Sequence, residues 1–523
     1  MLPIKSRLKY NIILALLIPL ALIAPDFIAQ VFNSADAAIL SKKFLLGIIF
    51  FGLFLSFADK ILAYFILGFF IFLELIQFGH LFYYDSLITS AKYSLLFSEL
   101  DEVFVAAKEA SRYLLIVPFV VLAPYGILIF LFSKFDSRKL KTKWAILPLL
   151  CLLAIIPYRV NKIYNGVNYY PDPADHSLRN SLYAFSNYIL NITIPTNLET
   201  KYKEYKIIPS EDWKNKKANI VLIIGESMNP MHMSLFTNYK YDTNPMLSTL
   251  KNDKNFTYML GLSSGVNTLV SVQLLLNGIY EPNNHKAIES ISGNLFKLAK
   301  EHKFKTFFIS AQSGASMTNI GYEYIDYIIF RQKAPDLFNK YNDEAFLKII
   351  PDLDYAEKNF IVLHQRNIHA PYETNYSHDP KFSHFPVDAS SYKQFLVDTY
   401  DNAVRFNDSL LYKIFEFYKN KFDGPTYIFF TPDHGEGVGD NNIWGHAFLN
   451  EQIYTIPFLS YIVNADPKIN AKAPICHYEI HDMIAKILGF NIYNPNIKPD
   501  ICYIQSTNLY GINEFVEFNK NQR

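Results

Sequence analysis

A helical membrane segment of several spans, followed by an α/β domain on a mostly parallel sheet, is the fold class this sequence predicts. Three observations predict it. Long apolar runs crowd into the first 160 residues, and several approach the length a bilayer requires. From residue 218 onward, short runs rich in Val, Ile and Phe alternate with helical segments, the pattern of a parallel sheet with crossover helices. One of those runs, residues 220–225, is apolar until it stops at Glu226, as a strand buried on both faces does.

Composition sets the outer limits. At 523 residues the chain is too long for one ordinary domain. Its 49 basic and 48 acidic residues nearly balance, so nothing favours a nucleic acid or other polyanion as partner. Hydrophobic residues make up 50% of the chain and aromatics 16%, with the excess lying before residue 160. Three cysteines are too few for a disulfide framework. Cys151 sits in an apolar run; Cys476 and Cys502 either pair in an oxidising compartment or are two buried thiols.

The apolar runs fall at residues 11–31, 44–57, 61–83, 113–132 and 144–158. They predict a membrane domain of five transmembrane helices over residues 1–158, the second and fifth needing flanking residues to cross a core of roughly 30 Å. The first run is not a cleavable signal peptide: it is long, lacks a small-residue cleavage site, and more spans follow. Lys5, Arg7 and Lys9 precede the first span, and Lys134, Arg138, Lys139, Lys141 and Lys143 fill the loop before the fifth. With an odd number of spans both basic loops are cytoplasmic, which puts everything after residue 158 outside. Residues 87–110 mix apolar with charged positions and read as amphipathic helix on the outer surface or as a solvated connector. Glu74 is the one acid deep in a span, a site for function or for a single helix-facing partner. Residues 159–217, rich in Tyr, Asn and Pro, read as a linker with helix near 177–190. Residues 218–523 form the outer domain.

In that domain the residues just past each strand are the informative ones. Residues 220–225 end in Glu226. Residues 257–262 lead to Ser263, Ser264, Gly265 and Thr268; 305–310 to Gln312, Ser313 and Gly314; 360–363 to His364 and His369; 427–431 to Asp433, His434, Gly435 and Glu436. Ligands of α/β sheets bind outside the carboxyl ends of the strands, so these polar residues gather at one edge. An Asp and a His side by side after a strand can reach one ion, with Gly435 permitting the turn. Carboxylate with imidazole suits Zn²⁺ or Mn²⁺. DHG alone is equally a polar surface turn; Glu226 and a histidine-bearing loop behind other strands favour the metal. Thr268 opens an apolar helical run, a place that suits a phosphate. An adjacent cation would lower its hydroxyl pKa. On spacing alone it is as simply an N-cap threonine without chemistry.

Taken as an ordered series, ANIVLIIGESMNPMHMSLF, SSGVNTLVSV, QSG, NDE, LHQRNIHAPY, YDNAVRFND and DHGEGVGDNNIWGHA resemble the phosphoethanolamine transferases. These are membrane-anchored enzymes of the alkaline phosphatase and sulfatase superfamily. The likeness covers the five-span layout and, in motif, roughly residues 218–490. It implies an alkaline-phosphatase/sulfatase-like catalytic domain in the periplasm, anchored in a bacterial inner membrane with the N-terminus cytoplasmic. It implies that Thr268 is the nucleophile and that Glu226, Thr268, Asp433 and His434 bind a catalytic zinc. His369 in NIHAP and His446 in IWGHA match family histidines that bind the substrate phosphate or a second metal. The implied donor is phosphatidylethanolamine, and the implied acceptor is lipopolysaccharide lipid A, its core or another surface glycan. Gln273, Ala370 and Gly445 depart from the family pattern, the QSG segment lacks its tryptophan, and at most one disulfide can form where the family has several. A glycerophosphate transferase would keep the same threonine and ligands. A sulfatase would need a C/S-x-P-x-R segment, and a non-enzymatic scaffold would be expected to have lost a ligand.

The basic loops make the topology testable. A reporter enzyme active only outside the cytoplasm, fused after residue 200, should be active in whole cells; activity only for a cytoplasmic reporter reverses the assignment.

Overall fold

The computed structural model describes residues 4–33, 41–84, 87–98, 100–134, 143–164, 169, 171, 175–193, 202–210, 217–312, 319–466, 469, 471–507 and 514–522. Most of the basic loop at 134–143, and Ser313 and Gly314, lie outside these. The chain divides into two compact units, Met1–Thr196 and Asn197–Arg523.

The first unit is helical: α1 (Ile4–Asn33), α2 (Lys42–Ser56), α3 (Lys60–Tyr84), α4 (Ser90–Ser98), α5 (Leu100–Glu109), α6 (Ser111–Leu114), α7 (Ile116–Lys134), α8 (Lys143–Tyr164) and α9 (Ser177–Thr193). Among the described residues four helices are long and apolar enough to cross a membrane: α1, α3, α7 and α8. The second expected span forms α2, whose 15 residues reach only about 22 Å at 1.5 Å per residue. Ile18, Leu55, Leu67, Val120 and Tyr125 meet in one apolar core. Glu74 is fully buried on α3. Two helices, α4 and α5, occupy the stretch expected to be amphipathic. The helix expected in the linker, α9, packs on α3, α4 and α8. Leu178 joins the main core, and Tyr93 of α4 stacks edge-on against Phe185 at 5.5 Å. An amphipathic helix with an apolar stripe needs such a partner, so α9 belongs to the membrane unit, while Lys206–Pro209 pairs with Phe490–Tyr493 in the second unit.

The second unit is built on an eight-stranded sheet. In chain order its strands are β1 (Asn219–Gly225), β2 (Phe256–Leu262), β3 (Lys305–Ser310), β4 (Tyr327–Phe330), β5 (Asn359–His364), β6 (Thr426–Pro432), β7 (Thr455–Val463) and β8 (Ile475–Cys476). Their spatial order is β8-β2-β7-β6-β1-β5-β3-β4. Every pairing is parallel except the two made by β7. Because β7 is antiparallel to both β2 and β6, those two run the same way, and β2 ends at the same edge as β1, β5 and β6. The five strands read from sequence are present within a residue or two at each end; β4, β7 and β8 do not stand out in the sequence.

All seven residues of β1 are buried, and alternation sorts them between two layers. Val221 and Ile223 pack under the long helix Tyr392–Lys421, with Leu396, Val404 and Leu411. Ile220, Leu222 and Ile224 pack on the other face against Phe296 and Leu298 of one helix and Ile480 and Ile484 of another. Pro457 stands in β7 where it pairs with Leu260 of β2, before pairing with β6 begins at Leu459. A ring without an N–H is tolerated there because one flank of the strand has no ladder to complete.

His477 braces the edge from beneath. Its Nδ1 accepts from the Ser264 N–H at 3.2 Å after β2, and its Nε2–H donates to the Pro432 carbonyl at 3.0 Å at the end of β6. It is fully buried, and burial pushes its pKa down to about 3, so the neutral ring does this bridging. Cys476 beside it and Cys502 are both buried free thiols. Replacing His477 by leucine strands a buried amide and a buried carbonyl, at a cost of roughly 2–4 kcal/mol. The full-length His477→Leu protein in detergent should melt several degrees below wild type.

Candidate active site

Three strand ends and one helix start build the site. Chain leaving β1 passes directly into Glu226 and then Ser227, whose φ of 52° is left-handed without being glycine. Such backbone costs of order 1–3 kcal/mol and persists only where surroundings enforce it. Here they do. The Ser227 hydroxyl donates to Glu226 Oε1 at 2.6 Å, its N–H donates to Asp433 Oδ1 at 3.2 Å, and its carbonyl accepts from the Tyr400 hydroxyl at 2.9 Å. One strained residue thus ties two carboxylates to each other and to the long helix.

The β6 end supplies Asp433 and His434. The Asp433 N–H donates to Gly225 O at 3.0 Å, continuing the β1–β6 ladder by one step. Nδ1–H of His434 donates to Gly435 O at 2.8 Å, which sets the tautomer and leaves Nε2 as the basic nitrogen. That Nε2 lies 3.5 Å from Glu226 Oε1 and 3.3 Å from Asp433 Oδ2. Gly435 is needed for a close approach: a Cβ there would sit 2.5 Å from the Gln452 carbonyl oxygen.

Beyond β2 the chain turns through Gly265, where a Cβ would meet Val270 at 2.7 Å, and enters the helix Thr268–Asn277. The N-cap of this helix is Asn267, whose side chain accepts from the Val270 N–H at 3.1 Å. Thr268 is therefore the first helical residue and not the cap, and its hydroxyl is spared that duty. It donates its one proton to Glu226 Oε2 at 3.3 Å.

Glu226, Thr268, Asp433 and His434 are thus brought together. His446 joins their margin, its ring 4.4 Å from that of His434, and His369 lies 6.3 Å further on from His446, centroid to centroid. His364, by contrast, is wholly buried against Ser310, its Nδ1 3.1 Å from the hydroxyl.

Two participants carried no assigned role in the sequence. Gln312 donates to Glu226 Oε2 and to Gln365 O. Glu436, buried, accepts from the Tyr372 hydroxyl at 2.9 Å on one oxygen and holds His446 Nδ1 at 2.6 Å with the other. Both stand just past strand ends, which was the available signal; what they bond to depends on loops that strand patterns do not describe.

The charges of this cluster do not balance by themselves. Burial raises Glu226, and Asp433 nearby raises it further. Burial pushes Asp433 up to about 7 and His434 down. Glu226, Asp433 and His434 can each offer a ligand atom within 4.8 Å of the others, as can His434, Glu436 and His446. Asp433 Oδ2 and His434 Nε2 are buried with no hydrogen-bond partner among the described residues. Unpaired buried acceptors of this kind fit a cation, and carboxylate, hydroxyl and imidazole donors suit Zn²⁺ or Mn²⁺.

A sequence profile described as Sulfatase matches residues 218–490, more than half of the chain. The chain belongs to the sulfatase family. Among the curated proteins, this sulfatase-family chain is 26% identical over 319 residues to the phosphoethanolamine transferase EptA of Helicobacter pylori, covering 56% of the chain and 58% of that protein. It is 24% identical over 308 residues to the Kdo(2)-lipid A phosphoethanolamine 7''-transferase of Salmonella typhimurium, covering 53% of each. The matches thus span between half and three fifths of these relatives. The integral membrane lipooligosaccharide phosphoethanolamine transferase A of Neisseria meningitidis has a similar fold, with a TM-score of 0.61 at 16% identity over 92% of this chain and 95% of that one.

The donor set makes metal content a direct test. Purified wild type is expected to contain a divalent metal by elemental analysis, and Asp433→Ala is expected to lack it. Gln312→Ala, which removes a donor to Glu226 and to the Gln365 carbonyl, should weaken metal affinity by roughly 10- to 100-fold.

Proposed function

We propose that the protein is a membrane-anchored transferase that moves phosphoethanolamine from phosphatidylethanolamine to lipopolysaccharide lipid A, its core or another surface glycan. The observation that carries this reading is the Thr268 hydroxyl, 3.3 Å from Glu226 Oε2. It stands at a helix N-terminus, beside buried acceptors that lack a counter-charge. The curated relatives named as phosphoethanolamine transferases support the headgroup.

Glu226, Thr268, Asp433 and His434 would hold Zn²⁺, with Mn²⁺ as the alternative. When bound, the metal supplies positive charge that favours the threonine alkoxide and neutralises the transferring phosphoryl group. The chain's own part rests on the geometry. Thr268 Oγ1 attacks phosphorus, the bond from phosphorus to the diacylglycerol oxygen breaks, and diacylglycerol departs with a proton. Phosphoethanolamine then sits on Thr268 until an acceptor oxygen attacks the same phosphorus and restores the hydroxyl. Free backbone N–H groups in the first turn of the Thr268–Asn277 helix attract the phosphoryl oxygens. Because Glu436 holds His446 at Nδ1, Nε2 is the nitrogen that exchanges a proton with leaving or attacking oxygen. His369, on the same margin, contacts the phosphate or a second metal. The donor and acceptor are confined to membrane surfaces. That is the use of apolar helices joined to a catalytic unit, which this reading places in the periplasm of an inner-membrane protein with a cytoplasmic N-terminus.

Mass spectrometry of surface lipids and glycans from cells with and without the protein tests this. A mass gain of phosphoethanolamine is expected, and a gain of glycerophosphate would replace the headgroup assignment. Thr268→Ala should lower transfer by several orders of magnitude while the protein still folds and retains metal. Full activity in that variant would remove the nucleophile.

A further inference from the structure

The membrane unit contains a cavity of about 280 Å³ that the transfer chemistry does not use. It opens among α2, α8 and α9, with residues from α1 and α3 behind. Its volume is at the lower end for small-ligand pockets, roughly 300 Å³ and above. The lining has two characters. Phe51, Phe70 and Leu152 make an apolar throat; Lys43, Arg159 and Arg179 stand at the mouth.

The three cations differ in how they are satisfied. Arg179 pairs with Asp175 and lies over the Tyr183 ring at 4.7 Å. Lys43 and Arg159 are exposed and make no hydrogen bond or ion pair with the described residues. With Asp175 committed to Arg179, Lys43 and Arg159 leave the mouth an excess of two positive charges among the described residues. Lys43 also lies at the start of α2, where Ser41 caps the Phe44 N–H at 3.3 Å and the dipole adds further positive potential. All of these charges sit near helix ends, the depth at which Lys and Arg reach lipid headgroups.

We propose that this cavity binds one anionic diacyl glycerophospholipid, its phosphodiester at Lys43, Arg159 and Arg179 and the start of one acyl chain in the throat. Basic pockets between membrane helices recognise anionic headgroups in this way. A zwitterionic ethanolamine headgroup would bring its ammonium toward Lys43 and Arg159, which have no ion-pair partner among the described residues. The assignment is independent of the transferase reading, since it concerns neither Thr268 nor the residues around it.

The test uses full-length protein in phosphatidylcholine nanodiscs containing a small fraction of spin-labelled phosphatidylglycerol or spin-labelled phosphatidylethanolamine. The motionally restricted fraction of label is read by electron paramagnetic resonance. Phosphatidylglycerol should be retained in preference to phosphatidylethanolamine. Lys43→Gln and Arg159→Gln should each reduce that preference, by roughly five-fold per basic residue removed. Gly47 lines the cavity, and a Cβ there would meet nothing within 4 Å. Gly47→Leu should therefore fold, fill the throat and abolish retention of both lipids. Equal retention of the two lipids by wild type, displacement of the label by lipid A rather than by unlabelled phosphatidylglycerol, or undiminished retention in folded Gly47→Leu would each overturn the proposal.

Discussion

Two carboxylates and an imidazole are buried together at one edge of the sheet, and their desolvation is left uncompensated by the hydrogen bonds they make. The rest of the second unit depends on that arrangement. Glu226 and Asp433 are both fully buried, and desolvating two such groups side by side is expensive. A fold that retains the arrangement must enforce it. The enforcement is visible in the left-handed Ser227, which bonds to both acids, and in Gln312, whose amide donates to one of them. A cation would convert this liability into binding energy, because the donors already converge and the ordering has been done during folding.

The Thr268 hydroxyl is placed by separate means. Glu226 and Asp433 leave adjacent parallel strands, so their spacing is that of neighbouring rungs. Thr268 comes from beyond β7, and small devices hold it there. Gly265 lets the turn close on Val270, Asn267 takes over the capping of the helix, and His477 ties the turn to the end of β6. A hydroxyl relieved of capping can point at the acids instead. The separation between Thr268 and the two acids is thus a property of three structural details, all of them within the protein's own packing.

Much of this was legible in the sequence, for physical reasons that differ by residue. Residues 220–225 announced a buried strand because both faces are covered, and an abrupt Glu226 marked its end. DHG after another such strand completed the edge. The role of Thr268 was ambiguous from spacing, since a first-turn threonine and a capping threonine look alike. The difference lies in Asn267, one residue earlier, whose side chain could take the cap only in the right backbone geometry. Glu436 and Gln312 stood in view without roles because their partners come from loops far along the chain. In the membrane unit the second and fifth apolar runs looked equally short; flanking residues lengthen the fifth into α8 while α2 stays at 15 residues, and the packing of α9 was hidden by the polar stretch that precedes it. β7 (TIPFLSYIV) is as apolar as the strands that were read; what composition could not show is that it runs antiparallel between β2 and β6.

That antiparallel insert has a consequence for how the second unit tolerates change. Thr268 and the acids are coupled through β7 alone in the plane of the sheet, so the ladder on either side of it acts as a vernier. A slip of one rung would carry the hydroxyl about 3.3 Å along the strand, which is the whole of its present distance to Glu226. Pro457 sits in that strand with one flank unladdered, and its stiff ring resists such sliding. Buried apolar positions of β7 therefore set the distance between Thr268 and the acids as surely as the polar residues at the sheet edge do.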